Sequence, residues 1–288
     1  MTKTVVLASN RTGVFDAIKK IPFLNLTHVF VVEGSRLHQE IKDTEFSLIK
    51  TQSHAQFLDA LDLMKFDLLI SNGCPVIVPV SKLKKTHQMF LNVHPSLLPE
   101  FRGYHPANGV LLNNAKEAGA TLHEMVDRVD RGKILAQERF PVTPDLDLGL
   151  LYHLLFSAEA RVFTHGIHKL HAQEFRDEGE PQSAIGSHYK RSQADMTVAF
   201  ETMKDEEILR RIRAFGTLSQ GVRCTLEGCE YTLYEAQPLH HPLLFELHGA
   251  QPAGKIVLTY DGGMVVRSRE SLLRISRYEP APPFNHKG

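Results

Sequence analysis

Short apolar runs alternate with amphipathic stretches through the first part of the chain. Strand-like runs fall at Thr4–Ala8, His28–Val32, Phe46–Ile49, Phe66–Ile70 and Gln88–Asn92, each too short for a helix. Between them the apolar positions take helical spacing. Val14, Phe15 and Ile18 share a face behind a capping Thr12, and Phe57, Leu58, Leu61 and Met64 share another within His54–Met64. Strands alternating with helices in this way predict an α/β fold, a Rossmann-like and mostly parallel sheet with helices on both faces.

The pattern then changes. A helix entered at Pro106 is expected over Gly103–Ala118, with Val110, Leu111 and Ala115 inward. Two extended runs, Thr121–Val126 and Ile134–Phe140, joined by the polar turn Asp127–Lys133, read as an antiparallel extension of the sheet. The strongest helical period runs from Asp147 to His171. After it, Gln173–Gln193 is polar and carries Gly, Pro and Ser, as a linker would. A short helix, Asp205–Phe215, turns Ile208, Ile212 and Phe215 inward and Arg210, Arg211 and Arg213 outward. The remaining runs (Val222–Leu226, Tyr231–Tyr234, Lys255–Tyr260, Met264–Val266 and Leu272–Ile275) are strands separated by turns, a small OB-like barrel or sandwich. The expected organisation is a catalytic α/β domain over residues 1–175, a linker over 176–194 and a smaller β-rich C-terminal domain over 195–288.

Composition narrows the partners. The 33 basic residues equal the 33 acidic ones, so bulk charge argues for neither a polyanion nor an anionic membrane. No stretch is long enough to cross a bilayer. Three cysteines, Cys74, Cys224 and Cys229, form no disulfide framework; with no apolar leader, a cytoplasmic protein is expected. His165, His168 and His171 recur along the long helix. Cationic groups near a helix C-terminus need no metal, and no metal site is expected.

Three stretches carry chemistry. Asn92 and His94 stand two apart at the end of an apolar run, so on a strand they share a face, and Pro95 ends the ladder after them. Ser71-Asn72-Gly73-Cys74-Pro75-Val76-Ile77-Val78-Pro79 follows another strand and forms a rigid apolar wall, suited to a flat heteroaromatic ligand or simply buried. Asp127 and Asp130 lie in the polar turn, either as solvated turn formers or as catalytic carboxylates. A dinucleotide fingerprint is not met, because Leu7–Gly13 holds one glycine where three are needed.

Together Asn92–Gly103, Ala118–Leu135 and the Ser71–Pro79 loop, with Asp130 following His94 at the matching spacing, resemble the formyltetrahydrofolate-dependent formyltransferases. That group includes the methionyl-tRNA, glycinamide ribonucleotide and sugar N-formyltransferases. The resemblance implies 10-formyltetrahydrofolate as formyl donor and Asn92, His94 and Asp130 as catalytic residues. It places the donor's pterin against Gly73, Cys74, Val76, Ile77, Val78 and Asp127, and the acceptor near Arg102, Gly103, Tyr104 and His105. The chemistry suits these residue types: an amide and an imidazole donate to a developing oxyanion, and a carboxylate receives the amine's proton.

The acceptor is a primary amine, with a nucleotide-linked amino sugar expected first. Methionyl-tRNA and an amino-acid-derived amine of secondary metabolism follow. Tyr104-His105-Pro106 is bulkier than the tRNA enzyme's small residues, and Glu33–Asp43 is short and mixed in charge where that enzyme carries a longer basic loop. Tyr104 could stack on a base or sugar, or pack half-buried. A homodimer is compatible with this reading.

Overall fold

The computed structural model describes residues 2–41, 47–49, 54–176 and 179–281. The chain divides into two compact units. One contains Met1–Pro106, Glu117–Pro141 and His153–Tyr189; the other contains Ala107–Lys116, Val142–Tyr152 and Lys190–Gly288.

The first unit is built on a seven-stranded sheet. Its strands are β1 (Lys3–Ser9), β2 (Leu24–Val32), β3 (Ser47–Ile49), β4 (Leu68–Asn72), β5 (Met89–His94), β6 (Glu117–Glu124) and β7 (Ile134–Pro141), in the order β3-β2-β1-β4-β5-β6-β7. The strands from β3 to β5 pair in parallel, and β6 and β7 add antiparallel at one edge. The central strands β1 and β4 bury both faces over most of their length, which is why these runs are largely apolar rather than alternating. On one face Val5, Leu7, Leu68, Ile70, Leu91 and Val93 pack with Val14 and Ile18 of α1 (Thr12–Lys20) and with Val162 and Phe163 of the long helix α6 (Leu148–Ala172). On the other, Val6, Ala8, Leu69 and Phe90 meet Phe57 and Leu61 of α3 (His54–Leu63) and the valines Val76, Val78 and Val80.

Two boundaries differ from expectation in ways that matter. Strand β5 runs on to His94, so Asn92 and His94 do lie on one strand, two residues apart. The helix expected to reach Ala118 stops at Leu112, as α5 (Pro106–Leu112), because Asn114 adopts a left-handed φ of 50° and turns the chain. Strand β6 therefore starts at Glu117 instead of Thr121. Its Gly119 lies so close to β7 that a Cβ there would sit 2.0 Å from the Glu138 carbonyl oxygen and 2.6 Å from Leu97. Gly119→Ala should lower the unfolding free energy by about 1–3 kcal/mol through overpacking, read as a lower urea midpoint at unchanged m.

Phe46, expected to open the third strand, lies outside the described residues; Ser47–Ile49 pairs with β2. Short helices α2 (Arg36–Glu40) and α4 (Val80–Leu83) were not legible as periods, each being little more than one turn. Residues 180–189, expected within the linker, pack as part of the first unit.

The second unit carries a five-stranded antiparallel sheet ordered β10-β11-β12-β9-β8. Its strands are β8 (Val222–Leu226), β9 (Cys229–Leu239), β10 (Ile256–Tyr260), β11 (Gly263–Arg267) and β12 (Leu272–Pro280). Helix α7 (Asp205–Phe215) buries Ile208, Ile212 and Phe215, and α8 (Pro242–His248) buries no residue. Among the described residues no helix is long and apolar enough to cross a membrane.

Candidate active site

The antiparallel pairing of β5 with β6 sets Asn92 directly opposite His123 and His94 opposite Thr121. Asp130, in the turn after β6, completes the cluster. Its Oδ1 lies 3.4 Å from Asn92 Nδ2 and 3.5 Å from His123 Nε2. Its Oδ2 accepts the Gly103 N–H at 2.9 Å and lies 3.6 Å from His94 Nδ1. The three residues drawn from the sequence thus converge on one point, with His123 as a fourth member that the sequence reading passed over.

Burial raises the Asp130 carboxyl, but the neighbouring groups, the Gly103 N–H among them, outweigh it and hold the group well below its ordinary range. Asp130 is an anion at neutral pH. Burial lowers the pKa of His94, against the pull of Asp130 and the Phe101 carbonyl, and His123 and Arg11 add to the lowering. A neutral His94 donates through Nε2 to the Phe101 carbonyl at 3.0 Å, which leaves Nδ1 facing the carboxylate. Neither nitrogen of His94 is therefore free in this arrangement, whereas among the described residues the side-chain hydrogen bonds of the half-buried Asn92 run to His123 and Asp130.

Backbone geometry keeps the carboxylate in place. Asp130 itself has a left-handed φ of 54°, which costs a non-glycine residue energy unless its surroundings hold it. Here Gln182 Nε2 donates to the carbonyls of Asp130 at 3.0 Å and Gly132 at 2.7 Å. Arg102 Nε donates to the Asp130 carbonyl at 3.2 Å, and its Nη2 reaches Gln182 Oε1 at 2.9 Å and the Ser183 carbonyl at 3.1 Å. Arg102 is buried and braces this turn, and it also lines the cavity beside it. Gly103, at φ 99°, adopts a backbone that presents its N–H to the carboxylate. Gln182→Leu leaves two carbonyls and Arg102 short of partners. It should cost about 1–3 kcal/mol of stability and, by loosening Asp130, lower turnover about tenfold, checked by urea unfolding beside steady-state kinetics.

The other expected contacts divide. Val76 and Val78 are core residues, so their backbone rather than their side chains is available to a ligand. Ile77 between them is 55% exposed. Cys74 is partly buried, and burial pushes its thiol up to about 11, so it stays protonated. Gly73, at φ 69°, approaches Asn10 so closely that a Cβ would meet Asn10 Oδ1 at 2.2 Å. Asp127 accepts the Ser81 N–H at 2.9 Å and so ties the turn to α4 just beyond the wall. Tyr104 is 63% exposed beside Gly103, and His105 is half-buried next to it.

Two further features escaped the sequence reading. At the end of β1, Arg11 pairs with the buried Glu159 of α6 and stacks over Phe156 at 4.3 Å. Beside the Asp130 turn a cavity of about 470 Å³ is lined by Arg102, Arg128, Arg131, Gln182 and Ser183, among others. Two of the three histidines in the helical row pack against Phe23, with His171 stacked at 3.8 Å and His168 edge-on at 5.1 Å. No group of three potential metal ligands occurs among the described residues.

Residues 3–167 match the sequence model of the formyl transferase family, and residues 190–282 match that of the formyl transferase C-terminal domain. The chain belongs to the formyl transferase family. Among relatives of this formyl transferase, the methionyl-tRNA formyltransferase of Burkholderia ambifaria is 26% identical over 229 residues, 78% of this chain and 68% of that protein. Of solved structures, the N-formyltransferase of Helicobacter canadensis, in complex with folinic acid and dTDP-3-aminofucose, has a TM-score of 0.70 at 17% identity. It covers 97% of this chain and all of its own. HypX of Aquifex aeolicus in complex with tetrahydrofolic acid has a TM-score of 0.69 at 17% identity, covering 98% of this chain and 45% of HypX. At these identities the structural likeness speaks for the shared fold.

Proposed function

We propose that this formyl transferase moves the formyl group of 10-formyltetrahydrofolate to a primary amine, first that of a nucleotide-linked amino sugar. The observation that carries the reading is the convergence of Asn92, His94 and Asp130 at the end of β5, in a chain whose family performs formyl transfer. Asn92 donates an amide hydrogen to the oxyanion that forms when the amine attacks the formyl carbon. Asp130, already ionised, receives the proton that the amine must lose. His94 Nδ1 faces that carboxylate and shares the proton, so His94 acts chiefly through Asp130. The donor's ring lies against the backbone of Gly73–Pro79 and the exposed Ile77, with Asp127 at the edge. No cofactor beyond this donor is required.

For the acceptor, Tyr104 stands exposed one residue from the Gly103 that holds Asp130, where an aromatic ring can cover a sugar or base. The guanidinium-lined cavity beside the same turn suits a phosphate-bearing substrate. The Helicobacter structure, in complex with an amino-sugar nucleotide, covers 97% of this chain.

The second reading, methionyl-tRNA, is favoured by the methionyl-tRNA formyltransferase among its relatives. Against it, the arginines of α7 are committed within their own unit. Arg210 pairs with Glu206 at 3.5 Å, Arg211 with Glu207 at 2.8 Å, and Arg213 holds the Leu146 and Thr143 carbonyls. The test supplies 10-formyltetrahydrofolate with dTDP- and UDP-linked amino sugars and with methionyl-tRNA, following tetrahydrofolate release. Turnover with an amino sugar at a rate insensitive to salt supports the first acceptor. Turnover with methionyl-tRNA alone, falling steeply with salt, replaces it with the second.

A further inference from the structure

Asn92, given above the oxyanion role, can perform it only if one of its amide hydrogens is uncommitted and the amide cannot flip. The structure shows how both conditions are met. His123 is fully buried, and its Nδ1 lies 2.6 Å from the carbonyl oxygen of Glu124. A carbonyl only accepts, so Nδ1 carries the hydrogen, and in a neutral ring Nε2 is then a bare lone pair. That lone pair faces Asn92 Nδ2 at 3.1 Å.

Asp130 Oδ1 is the second acceptor on the same side. Asn92 Nδ2, His123 Nε2 and Asp130 Oδ1 form a nearly equilateral triangle with sides of 3.1, 3.4 and 3.5 Å. Seen from Nδ2 the two acceptors are therefore only about 60° apart, roughly half the angle between the two hydrogens of a planar amide. One hydrogen directed between them serves both as a three-centre bond, and the other is left over. A flipped amide would set Oδ1 against a lone pair and a carboxylate together, with no donor facing it.

We propose that His123 is a positioning residue: as the Nδ1–H tautomer it joins Asp130 in capturing one amide hydrogen of Asn92, so that the other is presented to the formyl oxygen. This rests on the formyl-transfer reading of Asn92. Asp130 alone could hold the amide only through its 3.4 Å contact, the longer of the two. Strand pairing makes the arrangement stiff, since Asn92 and His123 are directly opposed on β5 and β6.

Two measurements test it. The first needs no substrate: a long-range proton–nitrogen spectrum of the imidazoles in the free protein, with His123 assigned by its loss in His123→Gln. His123 should show a protonated Nδ1 and a bare Nε2. An Nε2–H tautomer or a doubly protonated ring overturns the proposal whatever the reaction.

The second uses 10-formyltetrahydrofolate and the panel amine that turns over. His123→Leu should lower kcat about 10- to 100-fold with the donor KM within about threefold, as loss of orientation rather than of binding. His123→Gln, whose amide oxygen restores an acceptor, should recover most of that loss. In an Asn92→Ala background, His123→Leu should cost less than about threefold more, because its partner is gone. A full additional loss in that background overturns the positioning role and leaves Asn92 untouched. An Asn92→Ala enzyme with wild-type kcat overturns the role of Asn92 and this inference with it.

Discussion

Asp130→Asn should lower kcat for formyl transfer by about a thousandfold to ten-thousandfold, while the protein still binds folinic acid within about threefold of wild type. The substitution keeps the shape of the side chain, and its oxygen can still accept the Gly103 N–H. What it removes is the only carboxylate in the cluster able to take the ammonium proton of the tetrahedral intermediate. The pH dependence follows from the sign of the shift. Because the carboxyl is held below its ordinary value of about 3.9, it is ionised throughout the neutral and mildly acid range.

The acid limb of kcat/KM in that range should therefore track the acceptor's own ammonium group, rising as the amine deprotonates, and should shift when a less basic amine is used. The same depressed group contributes stability that is present above the unfolded carboxyl's pKa and lost as pH falls through the folded one. Folinic acid binding is measured by fluorescence quenching and turnover by tetrahydrofolate release. Retention of a tenth or more of wild-type kcat in Asp130→Asn would remove the proton-accepting role.

How much of this site could be read from the chain depends on which contacts are local. Asn92 and His94 were legible because a strand's two-residue period puts them on one face without knowledge of the partner strand. Asp130 was placed by resemblance, since nothing in an acidic turn distinguishes a catalytic carboxylate from a solvated one. His123 lies in the same stretch without any local sign of its role. Its role depends on the β5–β6 register, which sets it against Asn92 across 31 positions of sequence.

Gln182 was further out of reach. It sits in a polar stretch with no period of its own, and only folding brings its amide to the Asp130 and Gly132 carbonyls. The wall at Val76–Val78 was legible as apolar and rigid, yet which side chains face inward was decided by packing on the core beneath it. The sheet itself was more predictable than the site. The central parallel strands announce themselves by short apolar runs, whereas the early start of β6 follows from a single left-handed asparagine.

Asn92→Asp should be more damaging than its small change in shape suggests, with kcat lowered by at least about a hundredfold to a thousandfold. The new carboxylate would take the place of an amide nitrogen that stands 3.4 Å from Asp130 Oδ1 and 3.1 Å from the His123 lone pair. Two carboxylates at that distance do not both ionise, so one captures a proton and its pKa rises. In either protonation state the oxyanion loses its neutral donor. With the anion it meets repulsion, and with the acid the single O–H is drawn to Asp130.

Asn92→Ala removes the donor without adding charge and should lose less than Asn92→Asp. That order separates an electrostatic role from a steric one, because a residue that only shaped the pocket would tolerate the isosteric aspartate better than alanine. The comparison is made on kcat at saturating donor, with melting temperatures recorded for both variants. Alanine slower than aspartate, at matched stability, would mean that Asn92 fills space rather than holding the oxyanion.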